Sequence, residues 1–221
     1  MINLFYRELE KKYYSKIKQL ISSAFQVHRF AEKKHIVNSA LEIYIRHCLI
    51  ESSYSKVAIL NGELVGVILG RAEHQPKLSQ RWLHQVVGIF HQAKIALTAL
   101  GDLKKILEYY QLSRAYAKLK ARCPKTFSGE VTLLIVSDQC RGHGVGKKLF
   151  TDFKHYLQKH NASSFYLYTD SSLSFGFYDR QGMVREGTEN ITFNIEPTPY
   201  KLAVYLYSGE VSTESETKSC S

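Results

Sequence analysis

One stretch of the chain combines residue types that can hold a phosphate. It runs Val131-Thr132-Leu133-Leu134-Ile135-Val136-Ser137-Asp138-Gln139-Cys140-Arg141-Gly142-His143-Gly144-Val145-Gly146-Lys147-Lys148-Leu149. The segment Glu130 to Val136 is almost unbroken aliphatic and β-branched sequence, which reads as a strand buried on both faces. Glycines follow it, and they open a segment with Val145, Leu149, Phe150, Phe153 and Leu157 at helical spacing. Glycine lets a backbone come close to a ligand. The N–H groups of a helix's first turn have no intrahelical acceptor, and with the helix dipole they favour an anion, phosphate above all. Lys147 and Lys148 add positive charge beside them. Two common phosphate patterns do not fit. The Walker spacing needs glycine at Arg141 and Ser or Thr at Lys148, and the dinucleotide spacing needs glycine at Lys147.

The spacing that fits is Arg141-x-x-Gly144-x-Gly146. It resembles the pyrophosphate-binding signature [Q/R]-x-x-G-x-[G/A] of the Gcn5-related N-acetyltransferase (GNAT) superfamily. A second segment, Ser174-Phe175-Gly176-Phe177-Tyr178-Asp179-Arg180-Gln181-Gly182-Met183, resembles the family's A-x-x-F-Y-x-x-x-G-F run, with Met183 in place of phenylalanine. Together the two cover residues 130–187. The resemblance implies a GNAT fold and direct transfer of an acetyl group from acetyl-CoA to a primary amine. It places backbone groups of Leu134, Ile135 and Val136 on the pantetheine arm, with one amide able to polarise the thioester as an oxyanion hole does. It places the backbone N–H groups of Arg141, Gly142, His143, Gly144, Val145, Gly146 and Lys147 on the pyrophosphate. Tyr178 becomes the acid that protonates the departing thiolate, and Glu130 the candidate base for an ammonium acceptor whose pKa is near that of Lys, about 10.4. A packed aromatic is the alternative at Tyr178, and a solvated carboxylate at Glu130. Seven residues before Tyr178 the family often has a cofactor-touching asparagine; here Ser171 stands there, and only its hydroxyl can substitute. His143 reads as a surface side chain. Cys140, near a helix N-terminus, is either a reactive thiol or an inert one.

The elements that must position these groups follow from periodicity. A weak strand signal spans Ile2 to Tyr6. Helical spacing covers Lys11 to Phe25 and about Glu32 to Glu51. Apolar runs on either side of Asn61-Gly62 read as a β-hairpin. From Glu73 to Lys125 the chain turns helical and basic, with Leu83, Val86, Val87, Phe90, Ile95, Leu97 and Leu100 on one helix and Leu103, Ile106, Leu107, Tyr110, Leu112, Tyr116 and Leu119 on another. After the glycine-rich loop come a strand at Phe165 to Thr169, a short helix from Leu173 to Arg180 closed by Gly182, and strands at Met183 to Ile195 and Tyr200 to Tyr207. The expected class is α/β: a mixed central sheet with helices on both faces. Residues 1–207 form one domain carrying a helical insertion at 73–125, and 208–221 form a polar flexible tail.

Composition narrows the function classes. The 221 residues are 44% hydrophobic and 23% charged, an ordinary globular balance. The formal charge of +10 suits an anionic ligand or surface: nucleic acid, an acidic membrane, or a polyphosphate. No run approaches the roughly 18 apolar residues of a membrane span, and no leader is visible. Cys48, Cys123, Cys140 and Cys220 form no metal-ligand pattern, so no metal is expected, and a cytoplasmic setting follows from unpaired cysteines. No stacking or helix-turn-helix signature supports nucleic-acid binding. The leading reading is an acetyl-CoA-dependent N-acetyltransferase acting on a small-molecule or protein amine. The alternative is a non-catalytic acyl-CoA sensor or scaffold with the same fold. A homodimer is left open.

Overall fold

A computed structural model describes residues 3–25, 34–78, 81–98, 103–194 and 199–211. Its strands are β1 (Leu4–Arg7), β2 (Tyr54–Leu60), β3 (Glu63–Ala72), β4 (Gly129–Val136), β5 (Ser164–Asp170), β6 (Val184–Phe193) and β7 (Tyr200–Glu210). Its helices are α1 (Tyr14–Ala24), α2 (Lys34–Glu51), α3 (Arg81–Thr98), α4 (Leu103–Arg122), α5 (Val145–Lys159) and α6 (Gly176–Arg180). The seven strands form one sheet in the order β1-β2-β3-β4-β5-β7-β6. Only β4 and β5 run parallel; every other pair is antiparallel. The β2–β3 hairpin turns at Asn61 and Gly62, both with positive φ, as the Asn-Gly signal requires.

The two faces are covered by different helices. On one face α5 sets Val145, Leu149, Phe150, Phe153 and Leu157, each at most 1% exposed, against Ile68, Val131, Phe165, Leu167 and Tyr207. The helix lies close because Gly70 is beneath it: a Cβ there would stand 2.5 Å from the Phe153 ring and 2.7 Å from the Glu130 carbonyl. On the other face α1 and α2 bury Ile17, Ile21, Leu41, Ile45 and Leu49 over Val57, Val67, Leu69, Leu133 and Ile135. Beside them α4 packs Ala115 and Leu119 on Tyr166, Val204 and Leu206. The mixed sheet with helices on both faces is the α/β class expected, and two helices form between Glu73 and Lys125.

Several boundaries differ from the sequence reading. The first strand is Leu4–Arg7 rather than Ile2 to Tyr6, and Ile2 is outside the described residues, as are residues 32 and 33 of the second helix and Ile195 of the sixth strand. The short helix before Gly182 begins at Gly176, because residues 171–175 turn on Asp170, which accepts the Ser172 N–H at 2.8 Å. The last strand runs on to Glu210, into the expected tail, since Ser208, Gly209 and Glu210 pair with Tyr166, Phe165 and Ser164. Residues 212–221 of that tail are outside the described residues. The largest difference is in α3. Its expected apolar face points outward: Leu83, Val86, Phe90 and Leu97 are exposed, while His84, Val87, His91 and Ile95 turn toward α2. Arg46 and Ser39 on α2 present polar partners to those histidines, and that chemistry decides which face docks.

Candidate active site

The site begins at an irregularity in β4. Gly70 pairs with Val131 and Leu69 with Leu133, so Thr132 is one residue too many for its partner strand. Such a bulge bends a strand and increases its twist. The bulge is pinned from the end of α2 and the residue after it: Thr132 Oγ1 lies 2.8 Å from Ser52 Oγ, and the Cys48 thiol donates to the Thr132 carbonyl at 3.6 Å. Pairing between β4 and β5 covers Gly129 to Val131 and then stops, although both strands continue. Two parallel strands that part this way open a wedge toward their carboxyl ends, the end of an α/β sheet where ligands bind.

Register decides which backbone groups face the wedge. The Ser137 N–H donates to the Val65 carbonyl at 2.7 Å, and the same register sets Ile135 opposite Val67 and Leu133 opposite Leu69. Hydrogen-bonded and non-bonded rungs alternate along an antiparallel pair. Leu133 and Ile135 therefore bond to β3, and Leu134 and Val136 turn their N–H and C=O toward β5. Of the three residues expected on a pantetheine arm, Ile135 has its backbone committed elsewhere.

The wedge is walled by Val131 to Leu134 on β4, by Leu167, Tyr168 and Thr169 on β5, by Phe25 and Tyr44 from the α1–α2 side, and by Leu173 and Tyr178 from the α6 side. It is thus lined from both faces of the sheet. Thr169 is 2% exposed and its hydroxyl has no hydrogen-bond partner, an orphan that a bound polar group would satisfy. Burial first, and then the nearby Asp170 carboxylate, push the Tyr178 phenol above its ordinary value. Asp170 itself is 3% exposed, and burial raises its carboxyl. Tyr168 stacks on Tyr116 of α4 with centroids 4.3 Å apart and donates to the Tyr116 carbonyl at 3.1 Å. Burial, followed by the Glu130 carboxylate, pushes the Tyr168 phenol up to about 12.

At the mouth of the wedge the loop makes one 3₁₀ turn, Asp138–Cys140, and enters α5. Gly142 and Gly144 take positive φ of 80° and 76°. The first α5 bond is Lys148 N–H to Gly144 C=O, so the N–H groups of Val145, Gly146 and Lys147 precede any intrahelical acceptor. Of the seven expected amide donors, two are engaged within the loop: Arg141 N–H with Asp138 C=O at 3.2 Å, and His143 N–H with Cys140 C=O at 3.4 Å. The Arg141 side chain pairs with Asp138 at 2.7 Å, and the His143 Nδ1 lies 3.0 Å from the Arg141 carbonyl. Both side chains hold the loop's shape. Cys140 is 5% exposed and packs in the core under α5, the inert alternative of the two.

Helix α6 is fixed to β7 by polar contacts. Arg185 donates to the Tyr207 hydroxyl from Nε at 2.9 Å and Nη2 at 2.7 Å, and that hydroxyl donates to Asp179 at 2.8 Å. Tyr178, next in sequence, is oriented by this clamp. Two other expected site residues stand away from the wedge. Ser171 is exposed, and its hydroxyl accepts the Ala203 N–H at 3.1 Å. Glu130 lies on the α2 and α4 face, one residue below the wedge, paired with Arg71 at 2.7 Å; Arg71 also reaches Glu51 at 3.0 Å. The bulge, Thr169, Asp170, Tyr168, Tyr44 and Arg71 were missed from sequence. Only the two tyrosines carried a signal, being aromatics flanking a predicted buried strand or placed along a helix. Among the described residues no cluster of side chains could hold a metal.

A wedge between the two parallel strands, opening onto a glycine-rich helix start, defines the class. This is the GNAT fold. A family model described as "Acetyltransferase (GNAT) domain" matches residues 116–204. Among solved structures, an agmatine N-acetyltransferase mutant in its apo form aligns with TM-score 0.59 at 14% identity, covering 94% of this chain and 99% of that one. YncA of Salmonella typhimurium, solved with its cofactor acetyl-CoA, aligns at 0.51 and 11%, covering 98% and 99%. An acetyltransferase of the GNAT family from Staphylococcus aureus aligns at 0.50 and 15%, covering 96% and 100%. No curated protein sequence matches. At these identities the structures speak for the fold, and the domain match supports acetyl transfer as its general chemistry. The chain's resemblance to the GNAT superfamily acetyltransferases holds.

Proposed function

We propose that the protein transfers an acetyl group from acetyl-CoA to a primary amine by direct attack, within one domain whose helical insertion borders the acceptor side. The observation that carries this reading is the wedge itself: an unpaired stretch of parallel strands with a buried orphan hydroxyl inside and a helix N-terminus at its mouth. The N–H groups of Gly142, Gly144, Val145, Gly146 and Lys147 would hold the pyrophosphate, with Lys147 adding charge. Leu134 and Val136 would receive the pantetheine arm, and the Leu134 amide would polarise the thioester carbonyl. The amine gives up its ammonium proton to water, its nitrogen bonds to the acyl carbon as the carbon–sulfur bond breaks, and the surplus N–H proton of the product leaves to water. The thiolate takes the Tyr178 proton, and the phenolate recovers one from solvent.

Glu130 is better supported as an electrostatic partner reached through water than as a base in contact with the amine, because its carboxylate is held by Arg71 outside the wedge. Tyr168, Tyr44 and Phe25 would form the acceptor wall, with α4 reaching it through Tyr116. Similarity to a structure named an agmatine acetyltransferase favours an alkyl amine as acceptor class, and Glu130 and Glu51, both held by Arg71, lie on that side. The test is thiol release from acetyl-CoA across a panel of alkyl amines and peptides. Amine-dependent release supports the reading. Saturable acetyl-CoA binding without release for any amine would leave a carrier or sensor instead.

A further inference from the structure

Helix α3 is built inside out. Its contact line with α2 is His84, Val87, Gly88, His91 and Ile95. The His84 Nδ1 accepts from Arg46 Nη1 at 2.8 Å, and the His91 Nδ1 lies 3.1 Å from Ser39 Oγ. The opposite side carries Trp82, Val86, Ile89, Phe90 and Leu97, which are 65, 57, 64, 64 and 73% exposed. These positions form one stripe along a helix of 18 residues, about 27 Å long at 1.5 Å per residue. Helices on soluble domains turn the apolar stripe inward; a contiguous outward one marks an interaction surface.

We propose that this stripe lies on the surface of an anionic lipid bilayer, with α3 parallel to the membrane plane. Charge selects this occupant. Helix α3 carries Arg81 and Lys94 and no carboxylate, and the chain as a whole has a formal charge of +10. An anionic headgroup layer answers those charges directly. A helix with aromatic and aliphatic residues on one side and basic and polar residues on the other is the form that rests in a bilayer interface, and tryptophan favours the headgroup level. Among the described residues no helix is long and apolar enough to cross a membrane.

Trp82 is the only tryptophan in the chain, so its emission reports on the stripe alone. The full chain is titrated with vesicles of phosphatidylcholine containing phosphatidylglycerol, and with vesicles of phosphatidylcholine alone. The expected result is a blue shift of Trp82 and co-sedimentation with the anionic vesicles. Affinity for neutral vesicles should be at least about tenfold weaker, and added salt should weaken the anionic binding. Brominated lipid should quench Trp82, which tests the wild-type contact without any variant. Ile89→Ser with Phe90→Ser removes exposed side chains only; it should keep the melting temperature and lose vesicle affinity at least about tenfold. Three results overturn the proposal: no quenching by brominated lipid, undiminished vesicle binding of the folded double variant, or a dimer by light scattering with Trp82 already blue-shifted in the absence of lipid.

Discussion

In the transfer we propose Tyr178 supplies a proton, and its environment keeps that proton on beforehand. Burial and the Asp170 carboxylate both disfavour the phenolate, so the acid form persists through the whole neutral range. Tyr178→Phe keeps the ring that packs on Phe150 and Tyr207 and removes only the proton. Turnover should fall at least about tenfold with acetyl-CoA affinity unchanged, because general acids contribute roughly 10²–10⁴; equal turnover in the two proteins would end the acid assignment. The loop glycines give a second contrast. Gly144 holds φ at 76°, where a Cβ costs about 1–2 kcal/mol, whereas a Cβ on Gly146 would meet Val136 at an ordinary 3.5 Å. Gly144→Ala should weaken acetyl-CoA binding by about tenfold, that energy being a factor of ten per 1.4 kcal/mol, and Gly146→Ala should bind nearly as wild type. Calorimetric titration of the two variants checks this, and a reversed order would contradict it. The loop was readable from sequence because glycine spacing and a helix start are local. The split among Leu134, Ile135 and Val136 was not, since it depends on pairing with a strand more than sixty residues away. Nor was Glu130's tie to Arg71, which exists only once β3 and β4 lie side by side.

Elements were read where periodicity speaks and misplaced where it is silent. The switch between period 2 and period 3.6 gave the hairpin, the buried strand and α5. A bulge leaves no periodic mark, and neither does the point at which β4 and β5 part. For α3 the apolar stripe was visible in the sequence, but a stripe says which residues share a side and not which side docks. Its docking depends instead on neutral His84. Burial first, then the charges of Arg46 and Lys11, lower the His84 pKa, and the Arg46 guanidinium uses the free ring nitrogen as its acceptor. An unfolded chain takes up that proton near pH 6.5, while the folded chain resists it. Stability is therefore complete above about 6.5 and declines as the pH falls through the folded value. His84→Gln retains an acceptor and cannot titrate. Melting curves between about pH 8 and pH 5 should show a steeper loss for wild type than for the variant, with parallel curves refuting the linkage.

At the scale of the molecule, the sheet is a partition with an opening in it. Helices α5 and α6 hold one face and α1, α2 and α4 hold the other, and the wedge between β4 and β5 is lined from both. In the transfer we propose, the two reactants would meet through the sheet, each from its own side, without either displacing the other. Two buried cysteines are poor relays for an acetyl group. Cys140 is packed in the core, and burial pushes the Cys48 thiol up to about 12, where it carries almost no thiolate at neutral pH. The direct attack we propose requires both substrates to be bound together before transfer. Initial rates measured against acetyl-CoA at several fixed amine concentrations should give intersecting reciprocal plots, and incubation with acetyl-CoA alone should add no acetyl mass to the intact protein. Parallel plots with a protein-bound acetyl group would mean a covalent relay, and the two-faced wedge would then need a different use.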